Sequence, residues 1–273
     1  GELALTRARA LAADGHLRDA LTTLDLVKPT DPQHAEADRL RSALLTSISH
    51  DLKTPIAAIL GAAGALRDYS ASLPERDRVD LLSTVIDESE RLNRFISNLL
   101  DMTRIESGAM EPNVSLHYVG DVVGTALRRA AKILAQHRTE IQIPPDLPML
   151  RLDAVLFEQV LFNLLDNAAK YSPAGSLVRI QGWRYEGVVL LQVMDEGPGV
   201  PQADLERVFD TFYRVHKADH VRAGTGLGLS ICRGFIEAMG GKILAGNRTD
   251  RSGAVFTIRM PVPTESSGLE YLT

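Results

Sequence analysis

The sequence predicts a multidomain chain: an α-helical hairpin that pairs with a second copy as a dimeric four-helix bundle, followed by an α+β sandwich. Three observations carry this. Apolar residues recur at three- and four-residue steps from Leu40 to Ile105, interrupted at Ser70-Ala71-Ser72-Leu73-Pro74. Between residues 111 and 264, strand-like and helix-like segments intermingle without strict β-α-β alternation, which suits a sheet with helices on one face. The chain has 273 residues, 45% hydrophobic and 24% charged. These are ordinary globular values, and the length suits about two domains.

Residues 1–34 are alanine-rich and helical in pattern. Gly15 breaks the run and Pro29 and Pro32 end it. The order Ala8, Leu11, Gly15, Ala20, Leu24, Val27, Pro32 fits either one tetratricopeptide-like helix–turn–helix unit or a helical linker. Residues 35–110 follow as the hairpin. Leu40, Leu44, Ile48, Leu52, Ile56, Ile59, Leu60, Ala63 and Leu66 make the first stripe. Leu81, Leu82, Val85, Ile86, Leu92, Ile96, Leu99, Leu100 and Ile105 make the second, and Gly108 suits a left-handed cap. A lone hairpin buries its stripe poorly, so the expectation is a homodimer. In residues 111–264, Val114–Tyr118, Val178–Tyr185, Val188–Asp195 and Ala254–Met260 read as strands. Asp121–Ala135, Asp153–Tyr171 and Leu227–Met239 read as helices. Residues 265–273 carry no pattern and read as a flexible tail.

Thirty Lys and Arg stand against 35 Asp and Glu, a net charge of −5. That argues against nucleic acid as a partner, which selects basic stripes. The lone Cys232 has no cysteine to pair with, in a disulfide or at a zinc site, so the chain reads as intracellular and cytoplasmic. The longest apolar run, Ile56–Leu66, has 11 residues, short of the roughly 18 that span a bilayer. No membrane contact is expected within the chain. The first residue is Gly1 rather than Met, so membrane or sensor regions are expected upstream.

His50 lies two positions from Ile48 and Leu52, about 200° around a helix and so away from the apolar seam. Asp51 beside it can fix one imidazole tautomer and leave the other nitrogen nucleophilic. Thr54, one turn on, can position a water. Asn163, Asn167, Lys170 and Tyr171 fall at i, i+4, i+7 and i+8, off the buried face of their helix. Amide oxygens suit Mg²⁺, which prefers hard oxygen ligands. Lysine suits phosphate, and tyrosine can cover a purine. Asp195 heads Asp195-Glu-Gly-Pro-Gly199 at a strand end. Its carboxylate can accept the six-amino group of adenine, where guanine has an oxygen. Gly197 and Gly199 let the backbone turn close to the ring. Gly224-Thr225-Gly226-Leu227-Gly228 leads into a helix, where backbone N–H groups meet phosphates. It is not a P-loop. Phe209-Asp-Thr-Phe212-Tyr-Arg214 sits between the two glycine motifs, and residues 215–223 read as a short lid.

The run Leu40-Arg-Ser-Ala-Leu-Leu-Thr-Ser-Ile-Ser-His50-Asp-Leu-Lys-Thr-Pro55 resembles the phosphoacceptor box of sensor histidine kinases, most like the potassium-responsive KdpD subfamily. The His box, paired asparagines, DxGxG, FxxFxR and GxGxG occur once each, in that family's order, across about residues 36–263. The resemblance implies a dimerisation and phosphotransfer domain at 35–110 and an ATP-binding domain of the GHKL type at 111–264. It implies ATP and Mg²⁺ as ligands, with Asn163 and Asn167 on the metal and Asp51 as general base. It also implies phosphate transfer from His50 to the receiver domain of a response regulator, with Thr54 supporting phosphatase activity. Two alternatives stand beside it. One is a GHKL-type ATPase without phosphohistidine, for which Glu158 would activate water. The other is an inert interaction module.

Overall fold

The computed structural model describes residues 2–13, 20, 23, 24, 26, 52–69, 72–211, 213, 215 and 226–263. It divides into two compact units, Gly1–Asp101 and Met102–Thr273.

In the first unit, helix α1 spans Glu2–Ala13. Leu5 and Ala8 of α1 cluster with Leu24, and all three are buried. Residues 52–68 form helix α2, which continues through Pro55. Ser72, Leu73 and Pro74 lead into α3, Glu75–Glu106. Its first turn carries Glu75 and Asp77 and its last turn Arg104, both favourable to the helix dipole. Gly108 takes φ +66. Its N–H donates to the Ile105 carbonyl, and the Ala109 N–H reaches back to Arg104. This is a Schellman cap, which needs a left-handed residue and explains the glycine.

The second apolar stripe resolves into two. Leu81, Val85, Leu92, Phe95, Leu99 and Met102 are half-buried or buried. Val79, Leu82, Ile86, Ile96 and Leu100 are exposed. Adjacent pairs such as Leu81–Leu82 and Leu99–Leu100 lie about 100° apart and straddle two faces.

The second unit holds a five-stranded sheet and a layer of three helices. The helices are α4, Val119–Ala130, α5, Ala154–Tyr171, and α6, Gly228–Ala238. The sheet strands are β2, Arg138–Gln142, β4, Leu177–Tyr185, β5, Val188–Met194, β6, Lys242–Asn247, and β7, Ala254–Pro261. Their order is β2-β4-β5-β7-β6. Only β2–β4 is parallel; the other three pairings are antiparallel. A separate two-stranded sheet pairs β1, Ser115–His117, with β3, Leu150–Leu152.

Alternation decides the faces. Val178 and Ile180 on β4, Val189, Leu191 and Val193 on β5, and Phe256, Ile258 and Met260 on β7 are buried. The opposite face carries polar cross-strand pairs: Gln181 donates to Gln192, and Gln192 to Thr257, at 2.8 and 2.9 Å. Helix α5 supplies the centre of the core with Phe157, Val160, Leu161, Leu164 and Leu165, all fully buried. Asp153 caps it, its carboxylate accepting from the Val155 and Leu156 N–H groups at 3.0 and 3.1 Å.

Three strands were not expected from sequence. β3 has three residues, β2 is mostly exposed, and β6 ends in Ala245-Gly246-Asn247. The helix expected over Asp121–Ala135 instead spans Val119–Ala130 and gives way to turns over 131–136. Among the described residues, no helix is long and apolar enough to cross a membrane.

Candidate nucleotide site

The site forms where the C-terminal end of α5, the loop after β5 and the N-terminus of α6 meet. Asp195 follows β5 and is 6% exposed. Its Oδ1 accepts two backbone N–H groups, from Gly197 at 2.8 Å and Ala254 at 3.0 Å. With Oδ1 saturated, Oδ2 is the atom left for a ligand donor. Burial raises the Asp195 carboxyl above its ordinary range. The two N–H donors and the positive charge of Arg248 oppose that rise.

The loop glycines stand where backbone approaches closely. A Cβ on Gly197 would lie 2.9 Å from the Tyr171 carbonyl oxygen, so the end of α5 abuts this loop. Gly199 takes φ +79, and a Cβ there would lie 2.6 Å from Asn247 Oδ1. Asn247 itself clamps the loop. It accepts from the Val200 N–H at 2.7 Å and donates to the Val200 carbonyl at 2.6 Å. Sequence reasoning missed Asn247, because it closes the strand β6 that the pattern did not reveal.

Asn163 and Asn167 are both half-buried on α5. Asn163 Nδ2 donates to the Gly228 carbonyl at 3.4 Å. This brings the asparagine pair to the glycine motif across 65 residues of sequence. With Nδ2 engaged, Asn163 Oδ1 is left for a metal. Two amide oxygens one turn apart fit Mg²⁺, which takes few protein ligands and completes its shell from water and phosphate. Lys170 pairs with Asp166 one turn back, and Tyr171 is 39% exposed.

Gly226 takes φ +70, Leu227 is the N-cap of α6, and Gly228 is the first residue of that helix. Phe209 and Leu227 are core side chains, 3% and 0% exposed. Phe209 meets the edge of Phe256 with centroids 6.3 Å apart and carries the Arg233 guanidinium at 4.2 Å. What these two offer is anchorage of the segments around the site. Glu158 accepts from Arg129 of α4 at 3.3 Å, so it is already engaged away from the glycine motifs. Thr54 is exposed on α2. His50, Asp51, Phe212, Arg214, Gly224 and Thr225 lie outside the described residues. So does the expected lid, apart from Val215, and so does the expected tail.

Residues 40–108 match the His Kinase A (phospho-acceptor) domain. Residues 152–264 match the family of histidine kinase-, DNA gyrase B- and HSP90-like ATPases. Sensor protein KdpD of Clostridium acetobutylicum is 39% identical over 227 residues, 83% of this chain and 25% of that protein. KdpD of Escherichia coli is 37% identical over 234 residues, 84% of this chain and 25% of that protein. The chain thus spans about a quarter of these relatives. Among solved structures, histidine kinase AdeS of Acinetobacter baumannii has a TM-score of 0.59 at 26% identity, covering 79% of this chain and 98% of that one. A phospho-acceptor domain followed by an ATPase domain, both matched in this order, makes the chain a member of the sensor histidine kinases.

Proposed function

We propose that this chain is an ATP-dependent autokinase that phosphorylates His50 and passes the phosphate to an aspartate of a response regulator. The observation that carries the nucleotide half is Asp195: buried, with one carboxylate oxygen saturated by backbone N–H groups and the other left for a donor. Adenine presents such a donor at its six position. Asn163 and Asn167 would hold Mg²⁺, which when bound neutralises charge on the phosphates. Lys170 would exchange Asp166 for phosphate. Tyr171 would flank the base, and Gly224–Gly228 would wrap the phosphates ahead of α6.

The chemistry is phosphoryl transfer. Asp51 orients the imidazole and accepts its proton. A His50 nitrogen forms the new N–P bond as the bond from the γ-phosphorus to the bridging oxygen breaks, and ADP leaves. Thr54 would position water in the reverse task, hydrolysis of the regulator's phosphate.

A homodimer fits the exposed stripe on α3. Val79, Leu82, Ile86, Ile96 and Leu100 keep heptad spacing, with Ser89 and Asn93 in the two intermediate positions. The stripe extends about 30 Å along the helix at ~1.5 Å per residue. A second copy of the hairpin would cover it.

The test is incubation with γ-labelled ATP and Mg²⁺, followed by acid and by base. Label lost in acid but stable in base, and absent from His50→Gln, supports the reading. Rapid phosphate release with no labelled protein refutes it in favour of an ATPase.

A further inference from the structure

The turn between β6 and β7, residues 248–253, carries a closed chain of charges. The Arg248 side chain is 2% exposed, so its charge must be met inside the protein. Nε and Nη2 fork onto the Asp250 carboxylate at 2.9 and 2.7 Å. Nη1 donates to the backbone carbonyl of Asp195 at 3.4 Å. Asp250 also accepts from Arg251 at 3.1 Å, and Arg251 donates to Glu196 at 2.7 Å. The second Glu196 oxygen accepts the Leu177 N–H at 2.9 Å. The chain therefore runs from the start of β4 through Glu196 to the peptide of Asp195.

Arg248 donates to the residue whose second carboxylate oxygen is assigned to adenine under the proposed function. Its stem lies over Gly253: a Cβ there would be 2.8 Å from Arg248 Cδ and 2.1 Å from the Asp195 carbonyl oxygen. Its backbone N–H donates to the Gly253 carbonyl at 2.9 Å. The turn is thus pressed against Asp195 from below, and the guanidinium holds the Asp195 carbonyl. The Gly253–Ala254 peptide joins the turn to the carboxylate: its carbonyl accepts from the Arg248 N–H at 2.9 Å and its N–H donates to Asp195 Oδ1 at 3.0 Å, so the turn that Arg248 holds is the one that orients the Asp195 carboxylate.

We propose that Arg248 is a positioning residue of the nucleotide site, fixing the free carboxylate oxygen of Asp195 so that the pocket selects adenine over guanine. The proposal rests on the reading of Asp195 as the adenine-facing carboxylate. Methionine at 248 keeps an unbranched apolar stem and removes the fork. Lysine keeps the charge as a single point.

The test uses the whole chain and measures ATP affinity, displacement by GTP, and autophosphorylation at saturating ATP. Arg248→Met should weaken ATP binding on the order of tenfold and shrink the ATP-to-GTP preference by a similar factor. Its rate at saturating ATP should stay within about twofold. Arg248→Lys should recover part of the preference. An unchanged ATP-to-GTP preference in Arg248→Met overturns the proposal, even if the variant melts earlier, because a purely structural staple would not act on base choice. Asp195→Asn separates the two readings. If it leaves the preference intact, the adenine assignment itself fails. If it abolishes the preference and Arg248→Met does not, only the role of Arg248 fails. Should Arg248→Met not fold, Asp250→Asn decides by the same ratio. The Asp250 side chain is 54% exposed, and its replacement loosens the fork without opening the core.

Discussion

Replacing Gly253 by alanine should damage both stability and nucleotide binding through one contact. A Cβ at this position would lie 2.1 Å from the Asp195 carbonyl oxygen and 2.9 Å from its carbon. Both are backbone atoms, so no side chain can rotate away. Restoring an ordinary 3.4 Å contact moves backbone by about 1 Å. The bonds from Gly197 and Ala254 to the Asp195 carboxylate, at 2.8 and 3.0 Å, would then stretch past the roughly 3.2 Å limit. Gly253 also has φ +147, a conformation that costs a side chain about 1–3 kcal/mol. A buried carboxylate deprived of donors costs about 1–3 kcal/mol more. The sum is about 2–6 kcal/mol, or on the order of 10 °C in melting temperature for a unit of this size. Gly187→Ala is the control. It has φ +79 but nothing within 4 Å of its Cβ, so it should lose only about 1 kcal/mol and bind ATP normally. Melting is followed by differential scanning fluorimetry and ATP by calorimetry. A Gly253→Ala variant that melts within about 2 °C of the parent and binds ATP equally well would refute the reasoning.

Three further outcomes are expected. Cys232 is fully buried and its thiol is pushed up to about 12 by that burial. It should resist iodoacetamide in the folded protein at pH 8 and react once urea unfolds it; rapid native labelling would contradict the core placement. Ile86→Glu places charge in the exposed stripe of α3, 54% exposed in the single chain. Sedimentation should show dimer becoming monomer while the ATP-binding unit still melts normally. Glu196 and Asp250 are held below the usual carboxylate range, Glu196 by the Leu177 N–H and Asp250 by Arg248. Groups with lowered folded values stabilise above their unfolded pKa and lose that contribution as pH falls through the folded one. Asp195, raised by burial, has the opposite sign: its contribution is present at low pH and lost as pH rises. Melting temperature should therefore fall below about pH 4, and Glu196→Gln should flatten that fall; an unchanged acid slope would remove Glu196 from the account.

The parts of the fold whose cause is local can be read from the residue pattern. Helix α5 is legible because Asp153 caps it and its apolar residues keep a 3.6-residue period. β4, β5 and β7 are legible because burial on one face forces alternation. The glycines of the first motif have a steric reason, because a Cβ at Gly197 or Gly199 would meet the Tyr171 carbonyl oxygen or Asn247 Oδ1. The second stripe was visible as apolar but not as two faces, since periodicity does not say which neighbour covers which side. The remaining features come from contacts between distant segments. β2 is an exposed edge strand whose place comes from parallel pairing with β4, and β3 is too short to carry a period. Asn247, Arg248 and Gly253 acquire their roles from Val200 and Asp195, some 47 to 58 residues earlier in the chain. Nothing in their own neighbourhood announces those contacts, because the folded backbone, rather than local propensity, brings the β6–β7 turn against Asp195.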